Sequence, residues 1–299
     1  MAEKLKLKLD PSRSMADSIR TVPFAEVVEM VRLCCLSAAT LLPEDVLKAL
    51  QDSLQKETNS LAKELISQCL ENARIARDEN MPICQDTGFA VYFVEMGNLV
   101  KIDGGTIYEA LTEGTRQGYR DGFLRKSIVS DPLFQRKNTT DNTPPIIHLT
   151  MVPGDRIHVT LAPKGGGSEN MSALKMLKPS DGRQGVVDFV TQTVINAGGN
   201  PCPPVIVGVG IGGTFEQAAL LAKKALLRKV NTPAEDADYA ALEQEILQKI
   251  NASGVGPQGL GGDTTALAVH INHHPCHIAS LPVAVNINCH AARHAEFEI

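Results

Sequence analysis

The chain has 299 residues, 43% of them hydrophobic, enough to bury a sizeable core, which excludes a disordered or fibrous polypeptide. The net charge is −5, and the 29 Lys and Arg form no block, so the electrostatic footprint of a nucleic-acid binder is missing. No apolar run approaches the roughly 18 to 20 residues that span a bilayer, and Met1 to Asp10 hold no apolar signal-peptide core, so no membrane partner and a cytoplasmic location are expected.

In chain order, residues 24–79 carry apolar side chains at helical spacing: Phe24, Val27, Val28, Met30 and Val31, then Leu47, Leu50 and Leu54, then Leu61, Leu65, Ile66 and Leu70. Two or three helices are predicted before Met81, one of them opening at Pro43 with Glu44 and Asp45 in its first turn. Short β-forming runs follow at 89–94, 146–152 and 157–162. Between the first two, 106–126 reads as helix and 127–145, with Asp131-Pro132 and Thr143-Pro144-Pro145, as an ordered loop. A helix is predicted over 185–197, a buried strand over 205–210, helices over 214–228 and 234–252, and strands over 265–271 and 281–287. The mixture predicts an α/β (mixed α+β) fold. Neither an internal repeat nor a Gly/Ser linker divides the chain. One domain over 1–299 is therefore expected, with a mainly helical front at 1–79 and a core at 80–293.

Seven cysteines stand at 34, 35, 69, 84, 202, 276 and 289. An odd number in a long intracellular chain points to thiols and metal ligands rather than a disulfide frame. Cys34 and Cys35 fall on an apolar helix face and read as core. Cys84, Cys202 and Cys289 each occupy a turn beside a predicted strand, in the company of Gly, Pro or Asn. Such turns let backbone approach a bulky inorganic group and aim amides at its sulfides. Equally, a free cysteine is often just a small buried hydrophobe, and wide spacing carries little information. The number three matters, because four thiolates close every iron of a four-iron cluster, whereas three leave one iron open as a Lewis acid.

The run Lys164-Gly165-Gly166-Gly167-Ser168-Glu169-Asn170 offers side-chain-free amides that could cradle a carboxylate, and its place directly after a strand weakens the alternative of a flexible tip. Gly208-Val209-Gly210-Ile211-Gly212-Gly213 matches the dinucleotide pattern. The acidic residue required about 20 positions on is missing, since Pro233 to Asp238 begins a helix, so tight strand-to-helix packing is preferred. Histidines cluster at 270, 273, 274, 277, 290 and 294 without a partner zinc motif. Among them His277 is preferred as a proton carrier or carboxylate partner.

From about Asn80 to Arg293 the chain resembles the α-type catalytic region of the class I, iron–sulfur fumarases and L-tartrate dehydratases. The residues that carry the resemblance are Cys84-Gln85-Asp86-Thr87-Gly88, Cys202-Pro203-Pro204, Gly256-Pro257-Gln258-Gly259-Leu260, and Cys289 with Arg293 four residues later. The resemblance implies a [4Fe–4S] cluster on Cys84, Cys202 and Cys289. It implies substrate contacts from Gln85, Arg125 and an amide of the triple glycine, here Gly167, and catalytic roles for Asp86, as proton donor, and His277. Cys276 stands where the family usually has Arg, and Ala292 where some members have Asp, so the surroundings of His277 are expected to differ. The implied activity is that of a hydro-lyase. The segment 164–170 is similar to fumarases, so reversible hydration of fumarate to (S)-malate is expected, with dehydration of L-tartrate to oxaloacetate as the alternative. Outside the enzymes, an electron-transfer or cluster-carrier protein is the competing reading. The family also implies a separate β-subunit that brings further carboxylate clamps and the base, in an α2β2 assembly.

Overall fold

The computed structural model describes residues 19–299. The reading of Met1 to Asp10 lies outside the described residues, as does the start of the 1–79 region. After β1 (Arg20–Pro23) come three helices, α1 (Phe24–Thr40), α2 (Glu44–Lys56) and α3 (Ser60–Asp78). The helix α2 follows Pro43 with both carboxylates in its first turn. Asn59 starts α3, its side chain accepting from the amides of Leu61 and Ala62.

Next are β2 (Phe89–Gly97), β3 (Val100–Asp103), α4 (Ile107–Asp121), β4 (Ile146–Val152), β5 (Ile157–Lys164) and the single turn α5 (Gly166–Glu169). A reciprocal Thr106–Glu109 capping box opens α4. Then follow β6 (Ala173–Leu177), α6 (Gly182–Ala197), β7 (Val205–Gly212), α7 (Phe215–Ala225), α8 (Ala237–Asn251), β8 (Ala266–His274), β9 (Leu281–Asn288) and β10 (Ala295–Glu298).

The strands form two mixed four-stranded sheets, ordered β10-β5-β2-β4 and β6-β9-β7-β8, while β1 and β3 pair in parallel. The fold is mixed α/β, as expected. On the first sheet Ala90, Tyr92 and Val94 alternate inward with Ile157, Val159 and Leu161, packing against α1 and α4. The second sheet is covered on both sides, and every residue of β7 is buried. Val205, Val207, Val209 and Ile211 face α6 and α8. On the other face α7 crosses so closely that a Cβ at Gly208 or Gly210 would stand 2.1 Å from the Ala222 carbonyl or 2.0 Å from that of Ala218. These glycines serve strand-to-helix contact, which accounts for the dinucleotide-like pattern without a nucleotide. A third apolar cluster joins α2 and α3 to Ile206 and Ala268, and Cys84 and Cys289 lie at its edge.

Four short strands, β1, β3, β6 and β10, were not legible in the sequence. The last returns the chain end to the first sheet, beside β5. Helix α4 ends at Asp121, short of the predicted 126, and in the 127–145 loop buried Asn142 donates to the Gly88 carbonyl at 3.2 Å and accepts from the Ser127 amide at 2.7 Å.

Candidate active site

The topology of the second sheet decides which residues meet. Strand β9 runs antiparallel to β7 and ends with Asn288 opposite Ile206. Cys289 therefore emerges beside Cys202, which lies three residues before β7. Both His290 Nδ1 and the His290 amide approach the Cys202 carbonyl, at 3.0 and 3.2 Å. The third loop is fastened by Arg293: its Nη2 donates to the Asp86 carbonyl at 2.7 Å and its Nη1 to the Ala291 carbonyl at 3.2 Å. Arg293 is buried, with Nε left unpartnered. Cys84, Cys202 and Cys289 are thus drawn to one rim by ties between segments more than 80 residues apart.

The thiols feel one another. Burial pushes Cys202 up, with the neighbouring Cys84 adding to the rise. Burial also pushes Cys289 up, opposed by the positive charge of Arg293. Cys202 holds φ +54°, a left-handed conformation that a non-glycine residue adopts at a cost and that concentrates at functional sites. Cys34 and Cys35, by contrast, are buried on α1, and loss of solvation pushes each up to about 12, the behaviour of inert core thiols.

Next to the cysteine rim is a cavity of about 460 Å³, whose charged lining is Asp86, Arg125, Lys164, Glu169 and Lys223. Asp86, two residues after Cys84, is aimed by two amides: Oδ1 accepts from Gly88 at 3.1 Å and Oδ2 from Gly166 at 2.8 Å. Arg125 lies on the wall formed by the ordered loop, and its guanidinium has no protein acceptor among the described residues. Lys164 is buried, donating to Ser168 Oγ and the Ile287 carbonyl, both at 2.8 Å. Burial pushes its ammonium down to about 8, against the pull of Glu169. Burial works to raise the Glu169 carboxyl, but Lys223 at 2.7 Å, Asn286 and Lys164 together hold it below its ordinary value.

Not every predicted site residue joins this group. Gln85 is exposed, with Oε1 3.5 Å from Cys84 Sγ. In the triple glycine it is Gly166 that lines the cavity, its amide engaged by Asp86, while Gly167 is exposed. His277 lies apart, on the exposed β8–β9 turn, where Nδ1 accepts from the Ala279 amide at 3.1 Å. The eight residues of β9, about 25 Å of strand, separate that turn from Cys289. Cys276 shares the turn, with Sγ 3.3 Å from the Ser280 carbonyl. The other late histidines scatter: His273 stacks on Tyr239 at 4.1 Å, His270 is in the core, and His290 sits at the cysteine rim. Among the described residues no three His, Cys, Asp or Glu stand close enough to hold a single metal ion.

Sequence reasoning had assigned no role to Gln258, Arg293, Lys223 or Cys69. The first two belong to the matching motifs, so the signal was present. Nothing in the spacing marks Lys223, which reaches the cavity from α7, or Cys69, buried on α3 and pushed up to about 11 by burial with Cys289 and Cys202 nearby.

A rim of three thiols adjoins a cavity lined by three cations and two carboxylates, a lining that suits an anionic ligand. Comparison with known proteins agrees. The family model described as fumarate hydratase (Fumerase) matches residues 28–298, and the chain belongs to that family of hydro-lyases. A Methanocaldococcus jannaschii protein named putative L(+)-tartrate dehydratase subunit alpha is 46% identical over 275 residues, 90% of this chain and 94% of its own. The L(+)-tartrate dehydratase subunit alpha of Escherichia coli strain UTI89 is 32% identical over 289 residues, 95% of this chain and 94% of its own. The protein of that name from Escherichia coli O157:H7 is 33% identical over 283 residues, 93% and 92% of the two chains.

Proposed function

We propose that this chain is the α-type subunit of a hydro-lyase that adds or removes water at a four-carbon dicarboxylate, with a [4Fe–4S] cluster on Cys84, Cys202 and Cys289. The observation that carries the reading is the fastening of three sequence-distant cysteine loops at one rim, with Asp86 of the first loop turned into the adjoining cavity. The donors suit such a cluster. They are sulfur only, the Arg293 guanidinium offsets the negative charge of a thiolate-bound group, and a buried Nε–H remains without an acceptor. Bound there, the cluster would offer one iron without a cysteine as a Lewis acid for the substrate hydroxyl.

The chain's own residues divide the remaining work. Asp86 is held by the amides of Gly88 and Gly166 and moves a proton to or from the hydroxyl that leaves or arrives. Arg125 offers a planar pair of donors to one carboxylate. The Lys164–Glu169–Lys223 group keeps the cavity floor positive, and the apolar Val91, Ile128 and Ile146 restrict water. Besides Asp86 the lining carboxylate is Glu169, already engaged by Lys223, Lys164 and Asn286. The proton on carbon is therefore assigned to a group of a β-type partner, in keeping with relatives named as subunit alpha. His277 takes no part from within the same chain.

Between the two substrates, the relatives' names favour L-tartrate. The preference for fumarate rested on segment 164–170, but Ser168 is buried, bonded to Lys164 and turned toward the Gly165 carbonyl. Of that segment Lys164, Gly166, Glu169 and Asn170 line the cavity and Ser168 does not, so Ser168 itself discriminates little. Fumarate stands as the second reading, on the name of the matching family. The test is anaerobic purification of the chain with and without its β-type partner, followed by assay of oxaloacetate formed from L-tartrate and of fumarate hydration. Tartrate turnover by the pair, and almost none by the lone chain, is expected. Turnover of neither substrate by an iron-loaded pair, or full activity of the lone chain, contradicts the reading.

A further inference from the structure

We infer that Gln258 is a positioning residue whose amide fixes the Cys202 loop against the Cys289 loop and so sets how firmly the cysteine rim retains iron. The inference rests on the cluster reading above. Two donors of Gln258, the backbone amide and Nε2, both reach the Pro203 carbonyl at 2.8 Å. Nε2 also lies 3.2 Å from His290 Nδ1 and 3.9 Å from Cys69 Sγ. His290 Nδ1 is in turn 3.0 Å from the Cys202 carbonyl. A neutral ring either donates to that carbonyl or accepts from Gln258, and in both tautomers it bridges the two loops. With Nδ1 accepting from Gln258, this one side chain joins the residue after Cys202 to the residue after Cys289.

The loop that carries Gln258 is itself anchored. Gln258 holds φ +54°, a left-handed conformation imposed on a non-glycine residue. At the far end of the loop the buried Glu57 carboxylate accepts from the amides of Asp263 and Thr264 as well as from those of Thr58 and Asn59. The Gly256 amide donates to Thr265 Oγ1 at 3.0 Å. Such a carboxylate, satisfied by four residues' amides, makes the 256–264 segment a fixed platform rather than a mobile cover. Gln258 is the group by which that platform reaches the rim. Cys202 depends on it most, because the residue is exposed and lies outside the apolar cluster that borders Cys84 and Cys289.

The test uses the full chain, loaded anaerobically with iron and sulfide, as wild type, Gln258→Ala and Gln258→Glu. The glutamate fills the same space but turns an acceptor toward the Pro203 carbonyl. Both variants should release iron to a chelator roughly tenfold faster, the scale of one lost intramolecular hydrogen bond. Their visible-region circular dichroism should change, while the far-ultraviolet spectrum stays that of wild type. Gln258→Glu matching wild type in release rate and visible dichroism overturns the inference. Loss of folding in Gln258→Glu also overturns it, because the role is then one of stability. A wild-type chain that takes up no iron and sulfide sinks the cluster reading itself, an outcome distinct from equal retention by all three proteins.

Discussion

Asp86 gains its place from two backbone amides rather than from a charged partner, so replacing it by asparagine exchanges one accepting oxygen for a donor that faces the amide of Gly88 or Gly166. Asp86→Asn should lower kcat of the assembled enzyme by roughly 10²- to 10⁴-fold, with iron content unchanged. Steady-state kinetics together with iron analysis checks both halves. Lys164 gives a pH prediction. Below about pH 8 its ammonium is charged in the folded and unfolded states alike, and the cost of burying it is fully felt. Between about 8 and the usual 10.5 the folded chain has released the proton while the unfolded chain still holds it, so the residue's contribution to stability rises with pH. The stability difference between wild type and Lys164→Met should therefore move in favour of wild type over that window, by at most about 1.4 kcal/mol per pH unit, as read from urea unfolding curves at pH 7.5 to 9.5. At this scale Cys84, Asp86, Cys202, Cys289 and Arg125 were legible as motif residues. What Gln258 and Arg293 do was not, because their partners, Pro203 and Asp86, become neighbours only through the fold. His277, assigned by resemblance, stands apart from Cys289 because the strand β9 lies between them.

Among the elements, the long patterned ones were legible and the short ones were not. Helices α1 to α3 announced themselves through 3.6-residue periodicity, α4 through helical composition, and β7 and β9 through short runs rich in Val and Ile. The strands β1, β3, β6 and β10 have four or five residues each, too few for alternation to stand out, and they form by pairing with neighbours distant in sequence. The loop between α4 and β4 carries Arg125 to the cavity. Its order depends on Asn142, fully buried and bonded both to the Gly88 carbonyl and to the Ser127 amide. Asn142→Ala should cost about 1 to 3 kcal/mol of stability and raise KM for the dicarboxylate more than it lowers kcat. Urea unfolding and substrate titration of the assembled enzyme measure the two effects. Unchanged KM would mean that Arg125 does not depend on this tie.

At the scale of the molecule, the cavity opens between the first sheet, which supplies Phe89, Val91 and Ile146, and the part of the chain that contributes Gly166, Glu169 and Lys223. Three cations against two carboxylates leave one net positive charge for a substrate with two negative ones, which accords with a partner that supplies further clamps along with the base. The proposed cluster would be held by three particular thiols out of seven. Its most direct measurement is iron and acid-labile sulfide per chain after anaerobic loading, for wild type, Cys34→Ala, and alanine at each of Cys84, Cys202 and Cys289. Wild type and Cys34→Ala should hold about four irons and four sulfides, and each of the other three variants should fall well below that. Wild type without acid-labile sulfide, or retention that is indifferent to Cys84, Cys202 and Cys289, would contradict it.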